Sequence, residues 1–313
     1  MSRASRARAI ASAAAVGGAG LVGAGGAIYG VLLGQSRLAR HRIGEPLTTP
    51  PAADGTYGSG GDPITLVVFG DSGAAGFGVD RAEDTTAAVA AAGLAAQLGR
   101  QVQLRCVAAV GAQSADLQLQ IDAVDPHWPE LAVIAVGAND VTHRIPPGRS
   151  VALLTAAIER LHKHDVAVVV ATCPDLGTIR PIPHPLRWVA RRWSRSLAAA
   201  QTVASVSAGA RSVSVADLLG PEFAAHPDTM FGPDQFHPSV TGYQAFGQAI
   251  VPSLADAVTA PAQPHKNAAN LDLAQAAVRA AEVAGAEVSG ARGSRVRGLL
   301  RLRRSASPAT SDR

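Results

Sequence analysis

A chain of 313 residues, 47% apolar and 17% charged, has enough apolar side chains for one large core or two small ones. Its two cysteines, Cys106 and Cys173, exclude a disulfide framework and a structural zinc site. The net charge of +4 comes from the two ends: residues 63–258 carry 13 Lys/Arg against 17 Asp/Glu, which excludes a nucleic-acid surface on that stretch.

Ala9–Gly34 is a run of 26 residues without a charge, long enough to cross a bilayer. Arg3, Arg6 and Arg8 precede it, and Arg37, Arg40 and Arg42 follow it. The run ends Gly-Val-Leu-Leu-Gly, a poor site for signal cleavage. The expectation is a membrane protein with a single-pass N-terminal anchor over 1–44. The alternative is a secreted protein whose signal is cleaved. Arginines on both flanks leave the orientation open. Gly18–Gly23 matches the dinucleotide fingerprint, but no strand precedes it, so the match is a decoy. Gly26, Gly30 and Gly34 share one helix face, which fits helix-mediated self-association or plain glycine abundance.

Residues 45–62 are rich in Pro, Gly, Thr and Ser and lack periodicity, as in a linker. From residue 63 the pattern alternates. Apolar runs at Ile64–Phe69, Val102–Ala108, Leu131–Val136, Val166–Ala171 and Ser212–Val215 predict strands. Helical patterns fall at Thr85–Leu98, Ser114–Ile121, Val151–His164, Leu186–Ser207 and Ser239–Val258. Continuous apolar strands with helical crossovers predict an α/β domain over 63–258 with a parallel sheet of about five strands, covered on both faces. Residues 259–313 form an Ala-rich and Arg-rich tail. Arg292, Arg295, Arg297, Arg301, Arg303 and Arg304 carry no acid among them, which suits a solvated tail or contact with anionic lipid.

The stretch Leu66–Gly78, LVVFGDSGAAGFG, breaks a buried strand at Gly70 and sets a serine in the turn. A phosphate cradle, a nucleophile and a plain turn are the readings of this feature alone. In parallel sheets, ligands bind at the carboxyl ends of strands. Ser72, Gly111 and Asn139 follow the first three strands, and Asp234 and His237 stand just before the last helix. Serine is a poor nucleophile until an imidazole accepts its proton. A carboxylate on the other ring nitrogen fixes the tautomer, and three residues of separation bring Asp234 within reach of His237. The amides of Ser72 and Gly111 and the side chain of Asn139 suit an oxyanion. Asp71 and Asp140 brace loops, and His143 is a solvated loop residue beside the site in sequence. The segment Cys173–Trp193 follows the fourth strand and is expected to shape a pocket mouth. Its basic, Trp-bearing helix start fits a solvated face or a membrane surface.

At these residues the sequence resembles the SGNH, or GDSL-type, hydrolase superfamily. Its blocks stand in order: Gly70-Asp-Ser72, Gly111, Gly137-x-Asn-Asp140, and Asp234-x-x-His237-Pro-Ser. GDSGAAGFG resembles GDSLTxGxG with Gly73 in place of the leucine, a change that bears on the local pocket. The resemblance covers about 63–258 and neither tail. It implies a flavodoxin-like three-layer αβα sandwich. It implies hydrolysis of a small-molecule or lipid ester by Ser72, His237 and Asp234 through an acyl-enzyme, with no metal or cofactor. The G-x-S-x-G signature of ordinary α/β hydrolases is absent around Ser72. An acyltransferase with the same site, or a tethered binding protein without turnover, are the other functions that these residues allow.

Overall fold

The computed structural model describes residues 30–39, 41 and 49–259. In chain order the elements are helix α1 (30–39), β1 (Gly55–Tyr57), β2 (Ile64–Gly70), α2 (Ser72–Ala75), α3 (Thr86–Leu98), β3 (Val102–Cys106) and α4 (Leu117–Asp122). Then follow β4 (Leu131–Ala135), α5 (Ala138–Thr142), α6 (Pro147–His162), β5 (Ala167–Ala171), α7 (Leu186–Ser207) and β6 (Arg211–Val213). Three short helices, α8 (Val215–Leu218), α9 (Gly220–Ala225) and α10 (Pro227–Met230), lead into α11 (Val240–Thr259).

The sheet has the order β1-β3-β2-β4-β5-β6. Strands β2 to β6 are parallel, and β1 runs antiparallel along β3. All five expected strands form, each within two residues of its expected ends. The five parallel strands match the expected count, and an antiparallel sixth, β1, extends the sheet. The extra strand lies inside the stretch expected to be a linker. Gly55–Tyr57 carries no apolar run, so pairing with β3 creates this strand and periodicity does not. The Asp54 carboxylate accepts from the Cys106 amide at 2.7 Å, and the Tyr57 hydroxyl donates to the Ala53 carbonyl at 2.7 Å.

Side chains alternate across the parallel strands, and each face finds a helical layer. Leu66, Val68, Val133 and Val169 pack with Ala91 and Leu94 of α3 and Ile250 and Leu254 of α11. Val67, Phe69, Ile134 and Val170 pack with Leu117 and Ile121 of α4 and with Leu154, Ile158 and Leu161 of α6. This is the expected αβα sandwich. Helix α3 is rich in alanine on its buried side, so α11 approaches it closely. A Cβ on Gly247 of α11 would lie 2.6 Å from Val89. The five parallel strands, renumbered alone, run 2-1-3-4-5, the flavodoxin-like order. Its switch point opens between β2 and β4, just where Ser72 leaves the sheet.

The helix expected over Ser114–Ile121 divides. Ser114–Asp116 is a tight turn, and α4 begins after it. The Asp116 carboxylate accepts from the Gln113 amide at 2.8 Å and holds that turn. The expected anchor over 1–44 falls outside the described residues except for 30–39 and 41. Among the described residues, no helix is long and apolar enough to cross a membrane. The Arg-rich tail falls outside the described residues altogether. The expected Gly26/Gly30/Gly34 pairing falls partly outside the described residues, since Gly26 is not among them.

Candidate active site

Strand β2 ends at Gly70, and no other residue fits there. A Cβ at this position would lie 2.0 Å from the Ala135 carbonyl oxygen, and φ is 145°. The chain then turns into the short helix α2. Asp71 caps it by accepting from the Gly73 amide at 2.9 Å, and Gly76 closes it in the left-handed region. Ser72 is the first helical residue, so its N–H has no carbonyl partner within the helix.

His237 comes from the loop before α11. Asp234 Oδ1 accepts from the amides of Phe236 at 2.9 Å and His237 at 3.0 Å, which closes a tight turn. Asp234 Oδ2 lies 2.6 Å from His237 Nδ1, and His237 Nε2 lies 3.0 Å from Ser72 Oγ. The carboxylate fixes the tautomer: Nδ1 carries the proton and Nε2 accepts. Phe77 and Phe236 flank the ring at centroid distances of 4.5 and 4.9 Å. Burial pushes the Asp234 carboxyl up. The bonds from the His237 ring and the two amides outweigh it, so the net direction is down.

The other expected residues gather at the same strand ends. Gly111 sits at φ 82° in the loop after β3, which is tied to the end of β2 by the Ala109 amide donating to Gly70 O at 3.0 Å. Asn139, in the first turn of α5, donates from Nδ2 to the Ala112 carbonyl at 3.0 Å. Gly111 and Asn139 therefore stand on neighbouring loops across Ala112. An Asn side-chain amide has a second N–H beyond the one given to Ala112.

Asp71 and Asp140 brace loops, as expected. Asp140 is buried and accepts from the Ser114 hydroxyl at 2.9 Å. The Asp71 carboxyl is pushed up to about 6, chiefly by burial, against the opposing Gly73 bond and His237 charge. His143 is exposed and sits against the Asn139 carbonyl at 2.8 Å through Nδ1.

A cavity of about 100 Å³ opens beside Ser72 and His237. Its wall is mostly apolar: Leu176, Ile179, Leu219, Phe223, Phe231 and Phe236. The segment after β5 contributes Pro174, Asp175, Leu176, Thr178 and Ile179, so the expected pocket-shaping loop does line it. Gly73, which replaces the family leucine, is also in the lining. Trp193 packs partly buried in the neighbouring cluster, and Trp188 remains 61% exposed.

Two residues with a structural part in this site escaped sequence reasoning. Gln120 accepts from the Gly70 amide at 2.8 Å and donates to the Gly70 carbonyl at 2.8 Å. Gln201 accepts from the Cys173 amide at 2.7 Å and donates to the Val136 carbonyl at 2.9 Å. Both amides are buried and hold strand ends that β pairing leaves open. The available signal was positional. Gln120 shares a helix face with Leu117 and Ile121, and Gln201 shares one with Leu197 and Ala198.

Residues 68–245 match the model of the GDSL-like lipase/acylhydrolase family. A protein of Mycobacterium tuberculosis named GDSL-like esterase Rv1075c is 40% identical over 243 residues, 73% of this chain and 77% of that one. The crystal structure of a psychrotrophic esterase, EstA, from Pseudoalteromonas sp. matches with a TM-score of 0.50 at 16% identity. It covers 63% of this chain and 99% of that chain, a likeness of fold. Among the described residues no group of His, Cys, Asp or Glu is placed to hold a metal ion. With a match over more than half its length and a close relative, the chain belongs to the GDSL-like lipase/acylhydrolase family and is a carboxylic ester hydrolase of that type.

Proposed function

We propose that the chain cleaves esters with an apolar acyl group through an acyl-enzyme on Ser72. The observation that carries this is the bonded series Asp234 Oδ2, His237 Nδ1, His237 Nε2 and Ser72 Oγ at 2.6 and 3.0 Å, ending at the apolar cavity. Ser72 Oγ attacks the carbonyl carbon as its proton passes to His237 Nε2. Asp234 stabilises the imidazolium and holds its orientation. The oxyanion receives the N–H groups of Ser72 and Gly111 and the free N–H of Asn139. Collapse breaks the bond to the alcohol oxygen, which takes the proton from Nε2 and leaves. Water then attacks the acyl carbon and gives its proton to Nε2. A second collapse releases the acid and returns the proton to Ser72. The acyl chain lies against Leu176, Ile179, Phe223 and Phe231, where burial of methylenes contributes roughly 0.8 kcal/mol each.

The test is covalent. A fluorophosphonate should add its phosphonyl mass to the tryptic peptide containing Ser72, and Ser72→Ala should abolish it. Labelling elsewhere, or none in a protein that hydrolyses p-nitrophenyl esters, overturns the reading.

A further inference from the structure

Helix α1 lies against the wall of the cavity, far from it in sequence. Leu32, Gln35, Ser36 and Ala39 recur at helical spacing and face inward, while Val31 and Leu38 are exposed. The Gln35 side chain makes two bonds across a single proline. Its Nε2 donates to the His184 carbonyl at 2.6 Å, and its Oε1 accepts from the Leu186 amide at 3.0 Å. Ala39 is buried in the apolar cluster that also holds Leu176, Ile179 and Ile182. Leu176 and Ile179 are the same side chains that line the cavity.

The wall needs outside support. Pro181, Pro183 and Pro185 remove three backbone donors between Ile179 and Leu186. The turn bonds Ile179 N to Leu176 O and Ile182 N to Ile179 O are long, at 3.4 Å each. On the inner side, Asp175 and Leu176 are anchored to α7: the Leu176 amide donates to Ser194 Oγ at 3.1 Å, and Arg195 pairs with Asp175. On the outer side, Gln35 supplies both bonds. Leu186 opens α7, and its N–H is one that the helix cannot satisfy, with no side-chain cap from Pro185.

We propose that Gln35 and Ala39 are positioning residues for acyl selectivity: α1 straps the segment 174–186 from outside, and so sets where Leu176 and Ile179 stand in the cavity. This rests on the reading of that cavity as the acyl site. A strapped wall presents a fixed surface to a long acyl chain. An acetyl group reaches little of that wall and is indifferent to it. The strap therefore acts on how long esters bind, and leaves the Ser72–His237 chemistry alone.

The experiment uses the full chain and compares p-nitrophenyl octanoate with p-nitrophenyl acetate. Gln35→Ala and Ala39→Asp should each change the octanoate-to-acetate ratio of kcat/KM by about threefold to tenfold, for Gln35→Ala the size expected from losing one exposed and one part-buried hydrogen bond. The change should sit in KM for octanoate, with kcat for acetate held within about twofold. Gln35→Glu keeps the acceptor for Leu186 and loses the donor to His184, so it should fall between wild type and Gln35→Ala. Amide hydrogen exchange over 176–187 should speed up by about tenfold in Gln35→Ala. Gln35→Ala carries the test if Ala39→Asp fails to fold. A wild-type ratio together with wild-type exchange in folded variants overturns the strap. A wild-type chain that hydrolyses neither ester, or keeps its activity as Ser72→Ala, overturns the proposed mechanism instead, and the exchange measurement then decides the strap by itself.

Discussion

Asp234 holds His237 twice: one carboxylate oxygen accepts from its backbone amide at 3.0 Å, and the other lies 2.6 Å from its ring Nδ1. Backbone and ring are thus fixed by one side chain three residues away. The two grips separate by substitution. In Asp234→Asn the Oδ1 can still accept both amides and keep the turn. The amide nitrogen that replaces Oδ2 cannot accept from Nδ1–H, so the ring is driven to the tautomer with its proton on Nε2. A folded protein with kcat/KM lower by about 10⁴ is expected. Steady-state ester hydrolysis beside circular dichroism checks it, and near-wild-type activity would remove Asp234 from the mechanism.

Ser72 Oγ and His237 Nε2 stand 3.0 Å apart, and the proposed mechanism makes them one unit. Ser72→Ala and His237→Ala should each bring kcat down by about 10⁶, and the double variant should cost little more. Independent, multiplicative losses would show that the two do not share a step.

Asn139 has two N–H groups, and one is spent on Ala112 O. Asn139→Ala should lower kcat by about 10²–10³ with KM less affected, because in the proposed mechanism the second N–H serves the oxyanion and not the ground-state ester. An equal rise in KM with kcat unchanged would mean that Asn139 binds substrate and does not stabilise charge.

The carboxyl of Asp71 gives a pH signature of stability. It sits in the fold at about 6, against 3.8 for an ordinary aspartate. Between these values the folded state holds the proton and the unfolded state releases it. Stability from this group is therefore full below about pH 4, and is lost as pH rises to about 6. The loss is on the order of 3 kcal/mol, at 1.36 kcal/mol per pKa unit. Asp71→Asn should be free of that loss. Urea unfolding at pH 4 and pH 7 reads it, and parallel pH profiles for wild type and variant would contradict it.

Gln201 bridges two strand ends, accepting from the Cys173 amide and donating to the Val136 carbonyl. Gln201→Leu keeps the volume and orphans Val136 O and Cys173 N, each buried, at about 1–3 kcal/mol per group. A fall in the urea midpoint with unchanged slope is expected. An unchanged midpoint would mean that water replaces both bonds.

The alternation of apolar strands and helical patterns determined the αβα architecture, because strands buried on both faces must be apolar throughout and their crossovers amphipathic. It also put Ser72, Gly111, Asn139, Asp234 and His237 at strand ends or before the last helix, since chemistry-bearing residue types stand out at such breaks. The short antiparallel strand Gly55–Tyr57 was hidden, because its conformation comes from pairing with Val102–Leu104 and not from its own side chains. Gln120 and Gln201 were hidden for a related reason. Its place on the apolar helix face marks a glutamine as inward-facing, but only the packed sheet shows that its amide meets open strand ends. The contact of Gln35 with His184 and Leu186 spans about 150 residues of chain, a proximity that no local pattern encodes. Local periodicity determined which segments become strands and helices. The tertiary structure decided which side chains meet, because closure of the sheet brings together groups that lie far apart along the chain.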